Sequence, residues 1–163
     1  MSIGEHIDPW MSVTLGELQF LHDSAKNMKT VVEIGSCLGR STYALCSSGC
    51  ELVIAIDDFE MSPACEPKFL ENLAEFKNIR LLKMKSEKAA ELIESADMIF
   101  IDGNHEYDEV RKDLTLWAPK VKKFLCGHDY RDDVDWTKVK PAVDDFFRET
   151  PKLYQSIWYY EIG

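Results

Sequence analysis

The sequence predicts an α/β fold: a doubly wound, mostly parallel sheet of six or seven strands with helices on both faces. Three observations carry this. Short apolar, β-branched runs alternate with stretches of helical spacing along the chain, the arrangement that buries a parallel sheet between helices. Polar residues collect just after these runs, and the carboxyl ends of such a sheet are where ligands bind. The first run enters a glycine-bearing turn followed by a helix-prone segment, Val31-Val32-Glu33-Ile34-Gly35-Ser36-Cys37-Leu38-Gly39-Arg40-Ser41-Thr42.

In chain order, Thr14 and Glu17 have capping-box spacing, and Leu15, Leu18 and Leu21 repeat at helical intervals. A helix over 14–27 follows from them, leading into a first strand over 31–35. Residues 40–48 read as a helix closed by Gly49, and 51–56 as the second strand, ending at Asp57-Asp58. Pro63 to Pro67 reads as a loop, with Phe69, Leu70, Leu73 and Phe76 forming a helical stripe after it. Residues 79–84 make a third strand, and a short helix over 87–95 starts after Ser86, an N-cap candidate. Met98 to Ile101 is the fourth strand, running into Asp102-Gly103-Asn104-His105. Val110, Leu114 and Trp117 repeat at helical spacing until Pro119 stops that helix. Val121 to Cys126 is the fifth strand, followed by Gly127-His128-Asp129-Tyr130. The next helix carries Val139, Val143, Phe146 and Phe147, with Pro141 in its first turn. Leu153 to Ile162 reads as one or two strands, and its aromatic residues from Trp158 to Tyr160 as an exposed tail suited to a homo-oligomer interface.

Composition narrows the function classes. With 163 residues and no internal repeat or Gly/Ser linker, 1–163 is expected to be one domain, its segment 1–28 a helical piece packed on the core. No stretch approaches about 20 apolar residues, which argues against a membrane span. The N-terminal residues lack the basic and apolar regions of a signal peptide, so a cytoplasmic location is expected. Five cysteines without C-x-x-C spacing point to reduced, packed thiols. A formal charge of −10, without any basic cluster, argues against nucleic acid as a partner.

The first loop reads E-x-G-x-x-x-G. A nicotinamide loop would read G-x-G-x-x-G, and Cys37 stands where its second glycine belongs. Asp57, after the second strand, can accept both ribose hydroxyls of an adenosine ligand, whether NAD or S-adenosylmethionine (SAM). Ser86-Glu87 could meet the adenine edge, and reads equally well as a helix cap with a first-turn acid. Asp102 and Asp129 end neighbouring strands, so their carboxylates should converge and repel unless a proton or cation intervenes. Oxygen ligands favour a hard divalent ion such as Mg²⁺, which His128 could complete or orient. His105, at the mouth of the same cleft, suits a general base near neutral pH.

The E-I-G-S loop together with Ile101-Asp102-Gly103-Asn104-His105-Glu106-Tyr107 resembles the class I SAM-dependent methyltransferases. Ala55–Phe59, Gly127–Tyr130 and Ala142–Phe147 extend the likeness in order. The group it resembles comprises small-molecule O-methyltransferases related to the macrolide-sugar methyltransferases and cephalosporin-hydroxylase-like proteins. The resemblance implies a Rossmann-like domain and methyl transfer to the hydroxyl oxygen of a small molecule. It implies cofactor contacts from Glu33, Gly35, Ser36, Gly39, Ser41, Asp57, Asp58, Ser86, Glu87 and Asp102. It further implies a metal such as Mg²⁺ at Asp102 and Asp129, a set that His128 would complete from its place beside Asp129, with His105 as the base and Asp102 as the other catalytic residue. In that reading Glu33 holds the methionine amino group.

Two features depart from the pattern. Relatives that use a metal place a second acid or an Asn beside the fifth-strand aspartate, where this chain has His128 and Tyr130. No large insertion is present to roof the acceptor pocket, whose candidate lining is Trp10, Met11, Tyr130, Arg131 and Trp136. An NAD-dependent oxidoreductase, a non-catalytic adenosine-binding module and a metal-dependent hydrolase are the alternatives.

Overall fold

The computed structural model describes residues 2–9 and 13–163. Seven strands form one sheet: β1 (Thr30–Ile34), β2 (Leu52–Ile56), β3 (Ile79–Leu82), β4 (Ala96–Ile101), β5 (Val121–Gly127), β6 (Lys152–Tyr154) and β7 (Ile157–Glu161). Their order is β3-β2-β1-β4-β5-β7-β6. The first five pair in parallel, whereas β7 runs antiparallel to both β5 and β6. The tail therefore forms a hairpin that closes one edge.

Among the described residues six α-helices cover the sheet: α1 (Leu15–Ala25), α2 (Arg40–Ser47), α3 (Cys65–Asn72), α4 (Ser86–Leu92), α5 (Tyr107–Trp117) and α6 (Val139–Phe146). Side chains alternate across a strand, so consecutive residues of β1 serve different cores. Val31 packs with Leu18 and Leu21 of α1, Leu45 of α2 and Phe69 of α3. Val32 packs on the other face with Ala89 of α4, Leu114 and Trp117 of α5 and Val143 of α6. The central strands are buried on both sides, which explains why they read as nearly continuous apolar runs, broken only by Glu33 in β1 and Asp97 in β4.

Local chemistry sets the helix ends. Thr14 Oγ1 accepts from Glu17 N at 3.2 Å while Glu17 Oε2 accepts from Thr14 N at 2.8 Å, completing the capping box. Pro67 sits in the first turn of α3, where its missing N–H costs nothing, so the helix begins inside the segment expected to be a loop. The stripe beyond it continues past the helix end, and Leu70 points outward at 54% exposure. Ser86 is the first residue of α4 and caps nothing: its hydroxyl turns to Asp113 instead.

The exposed aromatic tail is not found. Trp158 is fully buried, because β7 lies beside β5 and the indole fills the space over Gly127. A Cβ on Gly127 would fall 2.4 Å from that ring. Tyr159 and Tyr160 are half-buried. The tail therefore contributes to the core, and the interface argument built on it falls away.

Candidate active site

Strand order changes direction between β1 and β4, and the loops leaving those strands separate there to leave a crevice. A cleft of about 530 Å³ opens at this point, lined by the loops after β1, β2, β3 and β4. Gly35, at φ +83°, lets the β1 turn press against β4: a Cβ there would lie 2.1 Å from the carbonyl oxygen of Asp102. The Asp102 N–H in turn donates to Ile34 O at 2.8 Å. These two contacts bring the cofactor-loop candidate and the catalytic candidate together.

Ser36, Ser41, Asp57, Asp58, Ser86, Glu87, Asp102 and His105 all line the cleft, as their sequence positions suggest. Glu33 and Gly39 do not. Gly39 caps α2 at φ +82°, with Leu73 packed where a side chain would be, so its role is in the turn rather than in ligand contact. Glu33 is fully buried behind the loop and accepts from Ser36 Oγ at 2.8 Å, Ser41 Oγ at 2.6 Å and the Thr42 hydroxyl. Burial pushes its carboxyl up to about 7 despite those three donors. The expectation that Glu33 itself grips a ligand is therefore corrected. It aims Ser36 and Ser41, which do face the cleft.

Asp57 is also more engaged than its strand-end position suggests. Its Oδ2 accepts from the Ser36 and Cys37 N–H groups at 2.9 and 2.8 Å, and its Oδ1 from Phe59 N at 2.7 Å. A carboxylate offers about four acceptor directions, so one is left for a ligand. Asp58 accepts only from Glu60 N among the described hydrogen bonds, at 2.9 Å. Cys37, at φ +44°, places its sulfur 3.2 Å from that of Cys65, and burial pushes its thiol up to about 12, which leaves it unreactive. Ser86 donates to Asp113 Oδ1 at 2.5 Å and accepts from Trp117 Nε1 at 2.7 Å. Asp113 lines the cleft too, its carboxyl raised to about 6 by burial. The one hint in the sequence was an acid four residues before Trp117 on an apolar stripe.

At the His105 end the turns after β4 and β5 bring two histidines and two aspartates together. His105 Nε2 lies 3.2 Å from Asp129 Oδ2 and 3.6 Å from Asp102 Oδ1, without hydrogen-bond alignment to either. Burial lowers its pKa, but the two carboxylates outweigh burial and raise it above the ordinary histidine value. Trp136 stands edge-on to His105 at 5.4 Å between ring centres and is half-exposed at the rim. Tyr130 donates to Asp144 and Arg131 pairs with Asp133, and neither lines the cleft. Trp10 and Met11 lie outside the described residues.

Behind His105 sits His128, buried and reaching in two directions. Its Nδ1 is 3.3 Å from Asp129 Oδ2 and 3.7 Å from Asp102 Oδ1. Its Nε2 is 3.2 Å from Glu17 Oε2 and 3.0 Å from Ser156 Oγ. Ser156 donates its hydroxyl and its N–H to Glu17 Oε1, at 2.7 and 3.0 Å. Burial disfavours a charged ring, yet Asp102, Asp129 and Glu17 push His128 up to about 11. Glu17, penalised by burial but paired with His128 and Ser156, falls to about 2. Neither Glu17 nor Ser156 was expected here, since Glu17 reads as a helix cap and 111 residues separate it from His128.

Asp102, His128 and Asp129 do converge, one ligand atom from each lying within 4.8 Å of the others. The donor set suits Mg²⁺ poorly. Magnesium takes hard oxygen ligands, and an imidazole replaces one here. That imidazole has Glu17 and Ser156 beside Nε2, and the two aspartates beside Nδ1.

The comparisons agree with the fold. Residues 32–130 match the family model described as a methyltransferase domain. The chain belongs to that family. A search of curated proteins finds no match. Among solved structures, the methyltransferase is similar to the O-methyltransferase TomG from Streptomyces achromogenes in complex with SAM, at 14% identity and TM-score 0.68 over 85% of this chain and 69% of that one. It is similar to an O-methyltransferase from Bacillus cereus in complex with SAH, at 15% identity and TM-score 0.65 over 83% and 68% of the two chains. Cofactor-bound Rv0187 from MTB gives 14% identity and TM-score 0.66 over 84% and 68%. At these identities the neighbours bear on the fold alone. No helix among the described residues is long and apolar enough to cross a membrane.

Proposed function

We propose that this methyltransferase moves a methyl group from SAM to a hydroxyl oxygen of a small molecule. The observation that carries the reading is the continuity of one cleft from the Ser36–Ser41 loop to His105. When bound, SAM supplies a methyl group already activated on a sulfonium. The hydroxyls of Ser36 and Ser41, aimed by Glu33, accept from the methionine ammonium. The ribose hydroxyls meet Asp58 and the remaining acceptor of Asp57, while Asp57 holds the loop by its backbone. Ser86, Glu87 and Asp113 border the adenine end.

At the other end His105 takes the proton of the acceptor hydroxyl as the new C–O bond forms and the C–S bond breaks. S-adenosylhomocysteine (SAH) leaves as the second product. Asp102 and Asp129 flank His105 and stabilise its protonated form. The half-exposed Trp136 offers an apolar edge to the acceptor beside His105. Magnesium assistance, implied by the likeness to O-methyltransferases, is not supported by the donor set. The five free cysteines fit a reducing, cytoplasmic setting, and the acidic surface a neutral or cationic acceptor rather than nucleic acid. Residues 1–163 would act as one domain, α1 contributing to its core.

Calorimetric titration with SAH, with NAD⁺ as control, tests the pocket. Micromolar binding of SAH alone is expected, and tight NAD⁺ binding without an SAH response would move the protein to the oxidoreductases. With an acceptor in hand, His105→Ala should lower turnover about 10²- to 10⁴-fold and leave SAH affinity within a factor of two. Equal losses in both would remove His105 from the role of base.

A further inference from the structure

We propose that the His128 side chain, clamped by Glu17 and Ser156, is the built-in cation of this site, holding Asp102 and Asp129 side by side where a divalent metal would otherwise be needed. The proposal rests on the methyl-transfer reading for its purpose but not for its geometry.

Two strand-end carboxylates facing one cleft repel each other unless a positive charge separates them. Here Nδ1 of His128 lies within 3.7 Å of an oxygen of each. The opposite nitrogen decides the charge. Ser156 spends its hydroxyl proton on Glu17 Oε1, so it cannot donate to Nε2, and Glu17 accepts at both oxygens, from Thr14 N at Oε2 and from Ser156 at Oε1, as an ionised carboxylate does. Nε2 must therefore be the donor. With Nδ1 facing two more carboxylates, both nitrogens carry protons and the ring is an imidazolium.

Glu17 is fixed independently of His128. Its carboxylate also accepts from Thr14 N at 2.8 Å and Ser156 N at 3.0 Å, so the start of α1 and the turn between β6 and β7 hold it in place. The ring is thus pinned from behind and presents its charge forward. His128 acts as a positioning residue: it keeps Asp102 and Asp129 close to His105, and His105 deals with the acceptor proton. An imidazolium cannot coordinate a metal, so the same arrangement excludes a divalent ion from the centre of the cluster.

Four measurements on the full chain test this, two of them independent of any acceptor. Nitrogen-15 NMR at neutral pH should find both ring nitrogens of His128 protonated, and a neutral ring would overturn the proposal. Calorimetric titration with MgCl₂ should show no binding below millimolar concentration. Micromolar Mg²⁺ binding that is lost in Asp102→Asn would overturn it. Turnover should change less than twofold on adding EDTA, whereas loss with EDTA and recovery with Mg²⁺ would refute it. His128→Asp, checked for folding by circular dichroism, restores an oxygen ligand in place of the fixed charge. It should lose turnover at least tenfold in EDTA and regain it with Mg²⁺ or Mn²⁺. A folded His128→Asp variant as active as the parent in EDTA would show that the ring has no positioning role. If no acceptor is ever turned over, the NMR and magnesium titrations still decide the charge assignment.

Discussion

Glu33 should make the protein less stable as the solution becomes more alkaline, and Glu33→Gln should remove that loss. The carboxyl is fully buried and its pKa rises from 4.5 to about 7. In the window between those values the native state keeps a proton that the unfolded chain has released. Stability therefore falls as pH rises through the window, and the loss is complete above the folded value. Moving a carboxyl that far corresponds to about 3 kcal/mol, of which about 2.5 falls between pH 5 and pH 8. At pH 5 the glutamine variant closely mimics the neutral acid, because the hydroxyls of Ser36, Ser41 and Thr42 can rotate to meet an amide. Urea unfolding of both proteins at several pH values measures the difference directly. The two should be within about 1 kcal/mol at pH 5, and the variant should be the more stable by about 2 kcal/mol or more at pH 8. Parallel pH profiles would refute the assignment of a strained, buried acid beneath the loop. SAH should reverse part of the effect in the parent alone, because an ammonium near Ser36 and Ser41 favours the ionised form.

Two further substitutions probe the loop. Gly35→Ala would force a Cβ to within 2.1 Å of the Asp102 carbonyl at a positive φ, so SAH affinity should fall at least tenfold together with a loss of about 1–3 kcal/mol in stability. Near-normal binding in calorimetry would mean that the β1 and β4 turns do not need this approach. Asp57→Asn weakens the acceptor for three loop N–H groups, and losing one hydrogen bond to a charged partner is worth about 1.5–3 kcal/mol. SAH binding weakened by about tenfold or more is expected, with an unchanged Kd counting against the loop-holding role.

The fold was legible because its signals are local. Leu52 to Ile56 and Met98 to Ile101 are uninterrupted apolar runs, and strands buried on both faces in this way belong to a sheet covered by helices. The rule that strand ends carry the site points to Ser36, Asp57, Asp102 and His105, and these line one cleft. What failed was information about distance across the chain. The Thr14–Glu17 box explains Glu17 completely at short range, so nothing in the sequence demanded His128 as a partner. Trp158 read as surface because only the antiparallel register of β7 against β5 sets it over Gly127. Glu33 read as a ligand contact because spacing fixes where a residue lies along the strand, whereas the hydroxyls that consume its oxygens come from the following helix.

The joining of Glu17 to Ser156 has a consequence for how the molecule comes into being. These residues are 139 positions apart, and between them they hold His128. A nascent chain that has emerged as far as β5 and the turn after it already contains the glycine loop and both strand-end aspartates. It cannot yet fix the ring that lies between those aspartates, because the hydroxyl completing the clamp has not been made. Until that serine is made, nothing clamps the ring between Asp102 and Asp129, so the charge cluster is among the last parts of the molecule to be completed.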